Sequence, residues 1–225
     1  MANLPGVIRR ATPAAKGFDT AANLSPAAIA ALAKQFQFCV RYVPWDTRSA
    51  GDLTSTEATN ILQAGLALMP IYPYPGAGWQ PDDASGLLGG KRAAAGAESL
   101  GFPKGVNLWM DLEGVAPGWP AASTIDHCNN WFDVVEAAGY VPGIYVGEPV
   151  NLTGEQLFSS LKFDHYWRSL SGATPDIPTR GYQMLQSAAE PIAGISIDSN
   201  VAQRDSLGGN AQWLVIAHEM PEAPA

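Results

Sequence analysis

With 225 residues, 47% of them hydrophobic and 15% charged, the chain is long enough to bury one large core, and a single domain is expected. Its net charge of -8, with no basic run, disfavours nucleic acid and anionic membranes as partners and suits a neutral, sugar-like substrate. No stretch approaches the roughly 20 apolar residues of a membrane span. Residues 1–16 lack the apolar centre of a signal peptide, and Arg9-Arg10 is therefore not read as a twin-arginine signal. The expectation is synthesis in the cytoplasm, no membrane insertion, and separate release if the target lies outside.

Residues 1–13, with Pro5, Gly6 and Pro13, read as an N-terminal arm; 14–218 form the domain; 219–225, with two prolines, read as a disordered tail. Ala14 to Asp19 is a short strand ending in an acid. Ser25-Pro26 then caps a helix whose apolar residues Ile29, Leu32, Ala33 and Phe36 recur at helical spacing. A second strand covers Phe38 to Val43, and Thr54-Ser55-Thr56-Glu57 is a capping box opening a helix that Ala64-Gly65 closes. Leu66 to Tyr72 is a nearly all-apolar strand, as expected when both faces are covered. The alanine-rich stretch from Asp82 to Leu100 reads as a helix, and Val106 to Gly114 as the fourth strand. Ile125, Cys128, Phe132 and Val135 mark a helix ending at Gly139. Pro142 to Val146 is strand five, and Thr153-Gly154-Glu155-Gln156 is a second capping box.

Five strand-helix units in a row imply parallel strands, because parallel neighbours need long crossovers. Phe163 to Arg168, Gly181 to Gln186 and Gly194 to Asp198 read as three further strands. The segment Ser187 to Ala193 is too short for a crossover helix, so the last strands are expected to meander, with at least one antiparallel. The fold class is α/β: an irregular TIM-type barrel of five βα units followed by three strands with few or no helices.

Asp111 and Glu113, spaced i and i+2 at the end of the fourth strand, project to one side while Leu112 packs the other way. Repulsion and partial burial should split their pKa values, as general acid catalysis requires. An isolated pair of this kind is commonly just a solvated strand end. Here Asp19 ends the first strand and Asp198 the eighth, and on closure these strands are neighbours, so four acids are expected at one rim, the rim where barrel catalysis gathers. Aromatic residues follow the same strands. Tyr42, Tyr72, Tyr74, Tyr145 and Trp167 are candidates for stacking on and bonding to a sugar, with Gln183 or Gln186 offering an amide. Trp109 and Trp131 are expected in the core.

Cys39 and Cys128 lie in predicted elements and outside any metal pattern; two buried thiols are expected, with a single disulfide as the alternative. His127, His165 and His218 lack zinc spacing. No metal or cofactor is expected, although four clustered carboxylates leave open a Mg- or Ca-dependent hydrolase.

Gly17-Phe18-Asp19, Ala64-Gly65-Leu66, Asp111-Leu112-Glu113, Gly143-Ile144-Tyr145 and Ile197-Asp198-Ser199-Asn200 together resemble the glycoside-hydrolase-like barrel domain of bacterial and phage proteins. That domain is similar to the family 25 lysozymes, which are muramidases, and the resemblance runs from about Lys16 to Ile216. It implies Glu113 as proton donor and Asp111 as its assistant, with Asp19 and Asp198 as the outer acids. The implied activity is hydrolysis of a β-1,4 bond in peptidoglycan or a related N-acetylated polysaccharide, in the setting of a phage or prophage endolysin. The alternative is a non-catalytic barrel that binds carbohydrate or cell wall.

Overall fold

The computed structural model describes residues 3–45 and 49–217. His218 and the expected tail lie outside the described residues. Ten strands and five helices follow in the order β1 (Val7–Arg10), β2 (Lys16–Thr20), α1 (Pro26–Leu32), β3 (Phe38–Tyr42), α2 (Ser55–Gln63), β4 (Ala67–Tyr72), α3 (Asp83–Leu100) and β5 (Asn107–Leu112). They continue with α4 (Ala121–Ala137), β6 (Val141–Val146), α5 (Gly154–Ser159), β7 (His165–Arg168), β8 (Met184–Ala188), β9 (Asp198–Ala202) and β10 (Gln212–Val215). Strands β2 to β9 close an eight-stranded barrel with helices between the first strands, the irregular α/β barrel expected.

Local chemistry explains the elements. Ser25 accepts a hydrogen bond from Ala28 N at the start of α1, with Pro26 in the first turn. At α5 the Thr153–Gln156 capping box forms in both directions. At α2 only half a box forms. Thr54 accepts from Glu57 N, but the Glu57 carboxylate turns away to the buried Arg41 guanidinium at 3.0 Å and to Leu24 N at 3.2 Å. Every residue of β4 and β5 is buried, as suits parallel strands packed on both faces. Outside the barrel α3 packs on α4 at its glycines: a Cβ at Gly86 would lie 2.4 Å from His127 O. The cysteines are free and buried, one on β3 and one on α4.

Two expectations need correction, and two pairings lay outside them. The segment 1–13 is no loose arm, since β1 pairs antiparallel with β10 from Val7↔Val215 to Arg10↔Gln212. It is an edge strand exposed along most of its length, so it carries no hydrophobic alternation to reveal it. The partner β10 had no sequence signal that set it apart, and it also meets β4 at Leu214↔Leu68, while β4 joins β5 only at Ile71↔Trp109 and Tyr72↔Met110. β7 and β8 remain parallel although the connection between them, Ser169 to Gln183, holds no helix. Finally, the eighth barrel strand begins rather than ends at Asp198. It is β9 that runs antiparallel, to β8 on one side and to β2 on the other.

Candidate active site

The carboxyl ends of the parallel strands meet at one mouth. β2 brings Asp19, β3 Tyr42, β5 Asp111 with Glu113 just beyond, β6 Tyr145, β7 Trp167 and β8 Gln186. Because β9 is antiparallel, its first residue falls at the same rim, with Asp198 directly opposite Asp19 in the ladder. The antiparallel direction of β9 thus offsets the misplaced strand end and leaves Asp198 at the expected rim.

Asp19 is buried, and its Oδ2 accepts from Gln186 Nε2 at 2.9 Å and from Asn200 Nδ2 at 2.7 Å. Both amides are themselves held. Gln186 Oε1 accepts from Tyr145 Oη at 2.9 Å and Leu170 N at 3.2 Å, and Asn200 Oδ1 accepts from Trp167 Nε1 at 2.8 Å. Five strands thus fix one carboxylate. Asp111, only 3% exposed, accepts from Tyr42 Oη at 3.3 Å through Oδ2, whereas its buried Oδ1 has no hydrogen-bond partner. Glu113 is half-buried; the Trp79 indole bonds its backbone oxygen at 2.7 Å, and its side chain lies over Gly147, where a Cβ would come within 2.4 Å of Glu113 Cβ.

Burial drives the electrostatics. It lifts Asp19 to about 6 against the two amide hydrogen bonds, with the nearby charges of Asp198 and Glu113 adding to the rise. Asp111 stands well above the usual carboxylate range, first because it is buried and then because Glu113 is beside it. Glu113 is also raised by burial, with a hydrogen bond from Tyr74 acting against the rise. Both carboxyls are therefore raised, and with the two charges so close they titrate as a pair.

Three cavities open at the mouth and share Tyr42 as a wall. One of about 530 Å³ is lined by Tyr42, Trp45, Pro73, Tyr74, Asp52 and Asp111. A second of about 320 Å³ lies on the Glu113 side, with Asp19, Tyr145, Trp167, Gln186 and Asp198. The third, about 500 Å³, runs along Asp19 and Asp198 past Ser196. Together they put carboxylates on both sides of Tyr42 along one trough at the mouth.

Residues 28–204 match the family described as Rv2525c-like, glycoside hydrolase-like domain. The chain belongs to this family. The Mycobacterium tuberculosis Tat-secreted protein Rv2525c, solved with L-tartrate, superposes with a TM-score of 0.65 at 16% identity over 84% of this chain and 95% of that one. An uncharacterized Bacillus stearothermophilus protein gives 0.63 at 19% identity, over 84% and 96%. A Streptomyces coelicolor lysozyme gives 0.59 at 14%, over 88% and 95%. At these identities the likeness is one of fold. Comparison with curated proteins found no match.

Within this glycoside-hydrolase-like barrel most of the expected site residues converge: Asp19, Asp111, Glu113, Asp198, Tyr42, Tyr74, Tyr145 and Trp167 all line the mouth cavities. Tyr72 sits deeper, 7% exposed, against the Trp45 ring at 6.0 Å, and lines only a small side cavity of about 80 Å³. Gln183 does not reach the mouth. β8 starts at Met184, so Gln183 lies at the strand's amino end, bonded to Tyr166 N, Asp164 O and the buried Asp205, and Gln186 is the amide that faces the trough. Sequence reasoning missed Asn200, which alternation from Asp198 placed on the same side, and Gly147, which follows from the β5–β6 register. It also missed Glu148. His127 and His165 are buried apart, each pushed down to about 4 by burial, and among the described residues no three His, Cys, Asp or Glu side chains converge to hold a metal ion.

No helix among the described residues is long and apolar enough to cross a membrane.

Proposed function

We propose that the protein is a glycosidase that hydrolyses a β-1,4 bond of peptidoglycan, as a muramidase does. The observation that carries the reading is the Asp111–Glu113 pair, two adjoining carboxylates that share the mouth of a trough and face different cavities on either side of Tyr42. A glycan lying along the trough places a glycosidic oxygen beside Glu113, the more accessible member. Asp111, on the other side of Tyr42, is placed to orient the N-acetyl group of the bound amino sugar. The ring now covering Glu113 deepens its burial and favours its neutral form, so the proton of the coupled pair is available on Glu113. Glu113 then protonates the leaving oxygen as the glycosidic bond breaks, Asp111 steadies the positive charge that develops on the sugar, and a water adds its oxygen to the anomeric carbon and returns a proton to Glu113. Asp19, fixed by its two amides, and Asp198 complete a negative wall that suits the same cationic transition state. Release by phage lysis or another delivery route brings the protein to the wall.

Glu113→Gln removes the proton but keeps the shape. Release of reducing ends from purified peptidoglycan should fall by about 100-fold or more, while the variant still sediments with the walls. Wild-type protein that sediments with walls yet releases no reducing ends would make the barrel a wall-binding module; a Glu113→Gln protein as active as wild type would remove Glu113 from the chemistry.

A further inference from the structure

Glu113 lies one residue beyond Leu112, the end of β5, and β4 pairs with β5 only at Ile71↔Trp109 and Tyr72↔Met110. The ladder therefore stops short of the residue that most needs placing. The chain after β4 takes over. Gly78 N donates to Gly114 O at 2.7 Å, Ala116 N donates to Trp79 O at 2.8 Å, and Trp79↔Val115 forms an isolated parallel bridge. Beside that bridge the Trp79 indole, whose N–H is its one polar group, donates to Glu113 O at 2.7 Å. The ring is braced in turn. His127 of α4 meets it edge-on at 5.0 Å, and His127 Nδ1 lies 2.9 Å from Ser85 Oγ in the first turn of α3. Burial pushes His127 down to about 4, so the brace is uncharged above that pH. Trp79 lines the side cavity of about 80 Å³ and none of the three at the mouth.

Resting on the glycosidase reading of the site, we propose that Trp79 is a positioning residue for Glu113, its indole N–H fixing the Glu113 peptide so that the carboxyl stands at the glycosidic oxygen, with α3 and α4 as its support. The peptide that carries Glu113 O runs into Gly114, at φ 68°, a conformation open chiefly to glycine. Hydrogen bonds, more than side-chain sterics, have to hold such a turn. Tyr74, from the same loop, also bonds the Glu113 carboxyl, but it lines the large mouth cavity and so meets substrate; Trp79 acts on the backbone alone. Proton transfer to a leaving oxygen is sensitive to small displacements of the acid. Losing the indole N–H should therefore slow the step that needs a proton and leave glycan binding as it is.

The test sets two substrates against each other. One is glycan strands of peptidoglycan freed of peptides, whose alcohol leaving group needs a proton; the other is a dinitrophenyl β-glycoside of an N-acetylated chito-oligosaccharide, whose acidic phenol leaves without one. Trp79→Phe keeps a ring against His127 and loses the N–H. On the glycan strands kcat should fall by about tenfold, the worth of one neutral hydrogen bond, with KM unchanged. On the dinitrophenyl substrate the rate should stay within about threefold of wild type. Benzothienylalanine at position 79, an indole isostere with sulfur in place of the N–H, should give the same split and replaces Trp79→Phe if urea unfolding shows that variant to be unfolded. Equal losses on both substrates would make Trp79 a structural residue and overturn the proposal, as would glycan-strand kcat within about twofold of wild type. Either result leaves the glycosidase reading standing. Wild type that cleaves neither substrate fails the glycosidase reading and the positioning role with it.

Discussion

Gly147→Ala isolates the positioning of Glu113 from its chemistry. The register that sets Leu112 opposite Val146 puts residue 147 beside Glu113 just beyond the two strands. A Cβ there would stand 2.4 Å from Glu113 Cβ, 2.6 Å from Glu113 Oε2 and 3.2 Å from Tyr145 Cε1. Carbon atoms in contact prefer about 3.5–4.0 Å, so the Glu113 side chain has to retreat by roughly 1 Å. A displacement of that size at a reacting group costs about 100-fold in rate, or about 2.7 kcal/mol of barrier. Stability should change much less, because Glu113 is half-buried and its carboxyl can swing toward the trough. The matched control is Gly143→Ala on β6, whose new Cβ would meet the fully buried Trp109 ring at 2.5 Å. With no room to yield, that change should cost about 1–3 kcal/mol of stability. Reducing-end release from walls and urea unfolding, measured on both variants, separate the two effects. Gly147→Ala protein that is folded and works within about threefold of wild type would show that Glu113 does not act from this position.

Two further outcomes follow from buried charge. Arg41 is fully buried and donates to Glu57, to Thr20 O and to Gly51 O at 3.0 Å, tying the loops after β2 and β3 to the start of α2. Arg41→Met leaves the Glu57 carboxylate buried without its cation and should lower unfolding free energy by about 3–5 kcal/mol. The double variant with Glu57→Leu should recover part of that loss; a single variant within about 1 kcal/mol of wild type in urea would contradict the role. Asp19 carries its proton up to about 6 in the folded chain, above its ordinary value of 3.8, so the native state binds more protons than the unfolded one across that window. Stability that the protonated side chain supplies in acid is lost as pH rises through about 6. Asp19→Asn, neutral throughout, should therefore be the more stable protein at neutral pH by about 1–3 kcal/mol and equal to wild type in acid. An advantage that persists undiminished in acid would assign the effect to something other than ionisation.

The elements most legible in the sequence were those whose burial leaves a period or a cap. β4 is apolar throughout because it is covered on both faces, and α5 opens on a capping box that forms as written. What escaped was decided by pairing across the sheet. β1, exposed along most of its length, is held by β10 at the far end of the chain, and β10 itself buries Trp213 and Leu214. Glu57 looks like a cap from its spacing and becomes the partner of Arg41, since a buried guanidinium outbids a backbone N–H already near solvent.

The same distinction governs the site. Strand alternation sufficed to put Asp111 and Glu113 on one side, and strand ends sufficed to bring Asp19 to them. Alternation is silent about depth, and burial is the first cause of the raised pKa of both carboxyls. Asp111 lies in the ladder and is 3% exposed, whereas Glu113 has passed the last β5 residue and reaches the trough. The two neighbours that hold this arrangement are visible only once strands are paired: Gly147, which gives Glu113 its space, and Asn200, which gives Asp19 one of its two donors. A site of this kind is written in the sequence as a set of acids and read in the structure as an order among them.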